Sequence, residues 1–145
     1  MIKIENVRVE NFNLRQWFRK HQQDIVVFLH GSCLYDRDGV GWYDAAMWYA
    51  GKYKVFHGDL GTVPSPSYAM LVGAKECLDR VKRPEKVFVV TATQIMALNK
   101  KGAVRGKNKP QKEAVIKSSD GLDVTMLSVS GGAEDVARYI PSIKK

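Results

Sequence analysis

The chain of 145 residues is the size of one domain, and its 45% hydrophobic and 26% charged residues are an ordinary globular composition. No apolar run approaches the roughly 18 residues that span a bilayer, the start Met1-Ile2-Lys3-Ile4-Glu5 has no signal-like apolar region, and Cys33 and Cys77 fall inside predicted elements, so a cytoplasmic protein with free thiols and no membrane partner is expected. The net charge of +8, from 23 Lys and Arg against 15 Asp and Glu, points to phosphate-rich or anionic partners.

Residues 1–22 read as an extension. Ile2, Ile4, Val7 and Val9 are apolar in a polar background, the pattern of a short edge strand or of one that adds to a partner. Asn13 is placed to cap a short helix from Leu14 to His21. Trp17 and Phe18 form the apolar side of that helix, either to dock it or to meet a protein partner. The run Asp24 to Cys33 is too brief for an ordinary helix and ends in Gly31-Ser32, which predicts a strand buried on both faces. His30 stands near its end, where strand-built sites place their chemistry.

Tyr35 to Gly39 is turn chemistry. Gly41 to Ala50 is expected as a second strand, Gly51-Lys52 as a two-residue turn and Tyr53 to His57 as a third strand. By period two, Trp42 and Trp48 share one face while Tyr43, Met47 and Tyr49 share the other. Such aromatics either stack bases or lie under a helix. After Pro64-Ser65-Pro66, Ser67 can cap a helix whose stripe is Met70, Leu71, Ala74, Cys77, Leu78 and Val81. Lys86 to Thr91 is a second buried strand, parallel to the first because a helix crosses between them. A short helix from Thr93 to Asn99 is expected next. From there to Lys117 the basic residues Lys100, Lys101, Arg105, Lys107, Lys109, Lys112 and Lys117 face one acid, Glu113, which makes a basic patch. A helix around Gln111 to Ser118 and a third inner strand from Asp123 to Ser130 follow. Past the Gly131-Gly132 turn, Glu134 and Asp135 suit the positive start of a terminal helix, with Val136, Ala137, Ile140 and Ile143 as its inner stripe.

This order resembles the ribonuclease H fold. Val27 to Cys33 is similar to the family's first strand, which ends in Thr-Asp-Gly-Ser, often with Cys next. Gly39 and Gly41 match its glycine-rich turn, Val89 to Gln94 resembles its Thr-Asp-Ser-Gln segment, and Glu134 to Arg138 resembles its Asp-x-x-Ala-Arg helix. The resemblance covers residues 23–143 and implies an α/β domain over 23–145. Its expected core is a five-stranded mixed sheet, a three-strand antiparallel meander plus two parallel strands, flanked by helices.

Enzymes of that family cut the RNA strand of RNA–DNA hybrids with two divalent metals held by four carboxylates. Two cations about 4 Å apart need clustered anions to hold them. Carried over by position, the first aspartate falls on His30, the helix glutamate on Ala69 or Met70, and the second aspartate on Ala92. Only the last acid has a counterpart, Glu134 or Asp135. One carboxylate cannot hold two magnesium ions, and alanine supplies no ligand. The resemblance therefore implies a domain without metal, cofactor or hydrolysis, with His30, Glu134 and Asp135 as vestiges of a site. The expected function is binding of a nucleic-acid backbone, duplex or hybrid, through the seven basic residues. Two alternatives stand beside it. One is a viral or mobile-element protein-interaction factor, a scaffold or inhibitor, docking through Trp17 and Phe18. The other is a metal-dependent nuclease with a site shifted onto acids such as Asp36, Asp38, Asp44 and Asp59, with His30 or His57.

Overall fold

The computed structural model describes residues 2–98, 103–104 and 106–141, with Arg37 described by its backbone alone. One sheet of six strands runs in the order β1-β6-β5-β2-β3-β4. The strands are β1 (Ile2–Arg8), β2 (Ile25–Leu34), β3 (Val40–Tyr49), β4 (Lys52–Thr62), β5 (Lys86–Thr91) and β6 (Asp123–Ser130). Among the described residues four α-helices flank it: α1 (Leu14–Lys20), α2 (Pro66–Asp79), α3 (Lys109–Ser118) and α4 (Ala133–Ala137). β2, β3 and β4 form the antiparallel meander, whereas β2, β5, β6 and β1 run parallel.

β2 is the strand the two cores share. Val27 and Leu29 point to the side of α2 and α3, among Leu71, Leu78, Val89 and Val115. Val26 and Phe28 point to the side of α1 and α4, among Phe18, Leu127, Val136 and Ile140. All four β2 residues are buried, as a strand covered on both faces requires. β5 reaches only to the level of Phe28, which pairs with Val90. Past that point β2 keeps β3 alone as a neighbour, and His30 emerges exposed.

The extension supplies the sixth strand that the five-strand expectation lacked. β1 pairs with β6 in parallel from Ile2 and Val124 to Arg8 and Ser130. Its alternation puts Ile2 and Ile4 on the α2 side and Val7 on the α1 side, so each apolar residue meets a core. α1 begins at Asn13, whose side chain accepts from the Gln16 amide at 2.9 Å.

Two local expectations are corrected. The chain from Thr93 to Leu98 forms no helix. There the Thr91 hydroxyl donates to the Thr93 carbonyl at 2.7 Å and Gln94 Nε2 to the Met96 carbonyl at 3.2 Å, local bonds that compete with a helical ladder. The hairpin turn lies at Ala50-Gly51 rather than Gly51-Lys52. Both residues have positive φ, 52° and 80°, the geometry that matches strand twist in a two-residue hairpin. This placement pairs Tyr49 with Lys52 and, further up, Asp44 with His57. A turn one residue later would have set Asp44 against Asp59. α2 is capped two residues earlier than expected, by Ser65, whose hydroxyl accepts from the Tyr68 amide at 3.2 Å.

The meander is held to α2 by the Tyr43 ring, which lies between two glycines. A Cβ on Gly58 would come within 2.2 Å of Tyr43 Cε2, and one on Gly73 within 2.7 Å of Tyr43 Cδ1. The phenol donates to Glu76 at 3.0 Å, and burial, then that carboxylate, hold its pKa well above the usual value. Gly73→Ala is thus a test of packing against propensity. Helix propensity alone would stabilise α2 by about 1 kcal/mol. Overpacking against Tyr43 should outweigh it, for a net loss of about 1–2 kcal/mol in denaturant unfolding.

Candidate nucleic-acid interface

The four positions that carry acids in the resembling family are spread over β2, α2, the end of β5 and α4. His30 is exposed on β2. Ala69 and Met70 are buried in the first turns of α2, where Met70 packs against Gly31 so closely that a Cβ there would meet its Cγ at 2.6 Å. Ala92 is half-buried just past β5 and packs against the core on the α1 and α4 side. Glu134 is exposed, and Asp135 pairs with Arg138 at 3.6 Å. Among the described residues no three His, Cys, Asp or Glu side chains converge as metal ligands. The residues present do not fit a two-magnesium centre.

The basic patch divides. Lys100, Lys101 and Arg105 lie outside the described residues. Lys107, Lys109 and Lys117 are exposed, whereas Lys112 is buried in α3. Lys107 and Lys112 nevertheless share a cavity of about 460 Å³ with Asn108, Ser65, Ser67 and the 94–97 segment. The cavity sits at the start of α2, whose Ser65 cap fixes the chain there. Its donors come from three separate elements, a hydroxyl pair from the α2 entry, the Gln94 region and two lysines. That set suits a phosphate group. A larger groove of about 800 Å³, between residues 9–15 and α4, sets Glu10 and Asp135 against Arg15 and Arg138 and has no excess of positive charge.

Trp17 and Phe18 face inwards. Phe18 is buried, edge-on to Phe28, Trp48 and Tyr139 with centroids 5.0–5.5 Å away, and Trp17 meets Phe88 edge-on at 5.0 Å. The two rings attach α1 to its own sheet, with Phe18 buried and Trp17 half-buried. Trp48 is likewise covered and donates through its indole to the Tyr139 carbonyl at 2.9 Å.

A polar cluster on the meander is the arrangement that residue reading named only in pieces. His57 Nδ1 lies 2.7 Å from Asp44 Oδ1 and His57 Nε2 2.9 Å from Asp59 Oδ1. Hydrogen bonds to Asp44, then to Asp59, raise the imidazole pKa above 6.5. Both ring nitrogens can donate only when the ring is protonated. The 44–57 pairing follows from the turn position, and that was the missing signal.

The whole arrangement can be set beside known proteins. Neither a protein-family model nor a curated protein matches the chain. Solved structures do. A ribonuclease H1 from the halophilic archaeon Halobacterium salinarum superposes with a TM-score of 0.62 at 9% identity, covering 82% of this chain and 92% of that one. The N-terminal ribonuclease H domain of a Mycobacterium tuberculosis protein gives 0.59 at 11% identity, covering 81% and 93%. The fold is that of ribonuclease H. The ribonuclease H-like sheet carries its meander and parallel strands as the sequence resemblance implied, with β1 added at the edge.

The His57 cluster makes a pH-dependent contribution to this ribonuclease H-like domain. A folded-state pKa raised above 6.5 stabilises the fold fully below that value and loses the contribution as pH climbs through the folded-state pKa. NMR titration should place the His57 imidazole above 6.5. Asp44→Asn should lower it and flatten the fall in thermal stability on the alkaline side.

Proposed function

We propose that the domain binds nucleic acid through its phosphate backbone and does not perform the two-metal hydrolysis of ribonuclease H. The observation that carries this reading is the cavity at the start of α2, where Lys107 and Lys112 meet Ser65, Ser67 and Asn108. A phosphodiester there would meet hydroxyl and ammonium donors in a concave seat. Exposed Lys109 and Lys117 on α3 extend the positive surface, and Lys100, Lys101 and Arg105 add positive charge to the neighbouring sequence. The net charge of +8 supports long-range attraction to a polyanion. Likeness to ribonuclease H structures supports a nucleic-acid partner, duplex or hybrid, at the level of fold.

The chemistry of the donor set argues for binding over two-metal hydrolysis. His30, Ala69 or Met70, and Ala92 bring no carboxylate to three of the four positions. Replacing acids by neutral groups also removes repulsion from an approaching phosphate. The shape of the duplex would be read through its backbone, because Val63-Pro64-Ser65-Pro66-Ser67 lacks the polar run with which the family touches the minor groove.

Fluorescence anisotropy against labelled hybrid, duplex RNA, duplex DNA and single strands across a salt titration tests this. Five to seven phosphate contacts give a log–log slope of about −4 to −6 on duplex DNA. Lys107→Ala should reduce the slope by about one unit and weaken all sequences equally. Absence of binding at low salt would remove the reading.

A further inference from the structure

A row of three polar side chains crosses the meander. His30 on β2 pairs with Asp44 on β3, and Asp44 pairs with His57 on β4. Directly opposed residues in a sheet share a face. Two exposed imidazoles therefore flank one carboxylate that is only 8% exposed. The outer two backbones stand two strand spacings apart, about 10 Å, which leaves the width of one phosphate with an imidazole on either side. Asp44 holds His57 by Nδ1 at 2.7 Å, as buried acids orient catalytic imidazoles, and directs Nε2 outwards. There Nε2 meets Asp59, a carboxylate 85% exposed and free to be displaced by a ligand oxygen. The next row on the same face holds Ser32 and Trp42, with Trp42 opposite Asp59, so an indole stands beside the row.

We infer that this row is a metal-independent ribonuclease site, with His30 as general base and His57 as general acid on one RNA phosphodiester. The inference rests on the nucleic-acid reading above and adds a chemistry to it. His30 takes the proton of the 2′-hydroxyl as that oxygen attacks phosphorus and the O2′–P bond forms. The P–O5′ bond breaks, its electron pair stays on O5′, and O5′ takes the proton from the His57 imidazolium. The products are a 2′,3′-cyclic phosphate and a 5′-hydroxyl, with one proton removed and one returned and no metal or further reactant consumed. The assignment follows from surroundings. His57, hydrogen-bonded to two carboxylates, is the ring placed to give a proton, and His30, exposed at the other end of the row, is the ring placed beside the 2′-hydroxyl. Asp44 is a positioning residue. DNA lacks the nucleophile and is bound without being cut.

The full chain is incubated with single-stranded RNA in excess EDTA, and binding is followed separately by anisotropy on 2′-O-methyl RNA of the same sequence. RNA should be cut to ends carrying 2′,3′-cyclic phosphate, while DNA and 2′-O-methyl RNA stay intact. His30→Ala and His57→Ala should each slow cleavage by about 100-fold or more, with affinity for 2′-O-methyl RNA lowered by a few-fold at most. His57→Gln, which keeps a polar side chain on β4, should do the same if the alanine variant proves unstable. Asp44→Asn should slow cleavage in the parent chain but add nothing to His57→Ala, a non-additivity that a merely structural role would not give. Binding without EDTA-resistant cleavage, or cleavage that survives in the His30→Ala/His57→Ala double variant, would overturn the catalytic site and leave the binding module standing. Absence of both binding and cleavage on these single strands would overturn the catalytic site, and the binding reading would then be decided by the duplex and hybrid titrations alone.

Discussion

A strand buried on both faces cannot exist alone, and β2 imposes that constraint on the whole molecule. Val26 and Phe28 need one apolar layer and Val27 and Leu29 another. α2 and α3 supply the first, α1 and α4 the second, and β5 and β3 satisfy its two edges. Burial of such side chains is worth about 1.5–3 kcal/mol each, so the layers are tied to β2 by more than the sheet's hydrogen bonds. Where the constraint ends, just past Leu29, polar chemistry begins: His30 is the first residue of the strand that no core claims.

Much of this was legible in the residues because the patterns were strong. The limits of β5 and β6, Lys86–Thr91 and Asp123–Ser130, follow directly from continuous apolar runs bounded by polar residues. The α2 stripe and the Asn13 cap were equally plain. Less legible was everything set by register or by competition between local bonds. The Ala50-Gly51 turn puts an alanine at φ 52°, a choice propensity disfavours, and one residue of error there reassigns every partner across β3 and β4. The segment after β5 looked helical by composition, yet its side chains bond the backbone instead. The inward turn of Trp17 and Phe18 depends on Phe28, Phe88 and Tyr139 arriving from elsewhere in the chain, which no window of sequence contains.

The candidate site divides along the same line. The positions where acids are missing can be read by alignment of motifs alone. The cavity of about 460 Å³ needs α2, the 94–97 segment and the start of α3 to meet, and burial of Lys112 within that wall is a tertiary fact. The His57 cluster is likewise a product of pairing. Two of its members are only two residues apart, but the buried one comes from the neighbouring strand.

The added edge strand has a consequence for how the chain is made. β1 is made before the other strands of the sheet, yet the described strand it pairs with, β6, is made after all of them. Throughout that interval Ile2, Ile4 and Val7 lack the strand they pair beside, and the loop to be closed spans most of the chain. The sheet can assemble from β2 to β5 beforehand, and β1 docks only when β6 has added to β5. β1 thus precedes the other strands in synthesis but pairs after them, and during translation it is an unpaired strand exposed to chaperones and to neighbouring nascent chains.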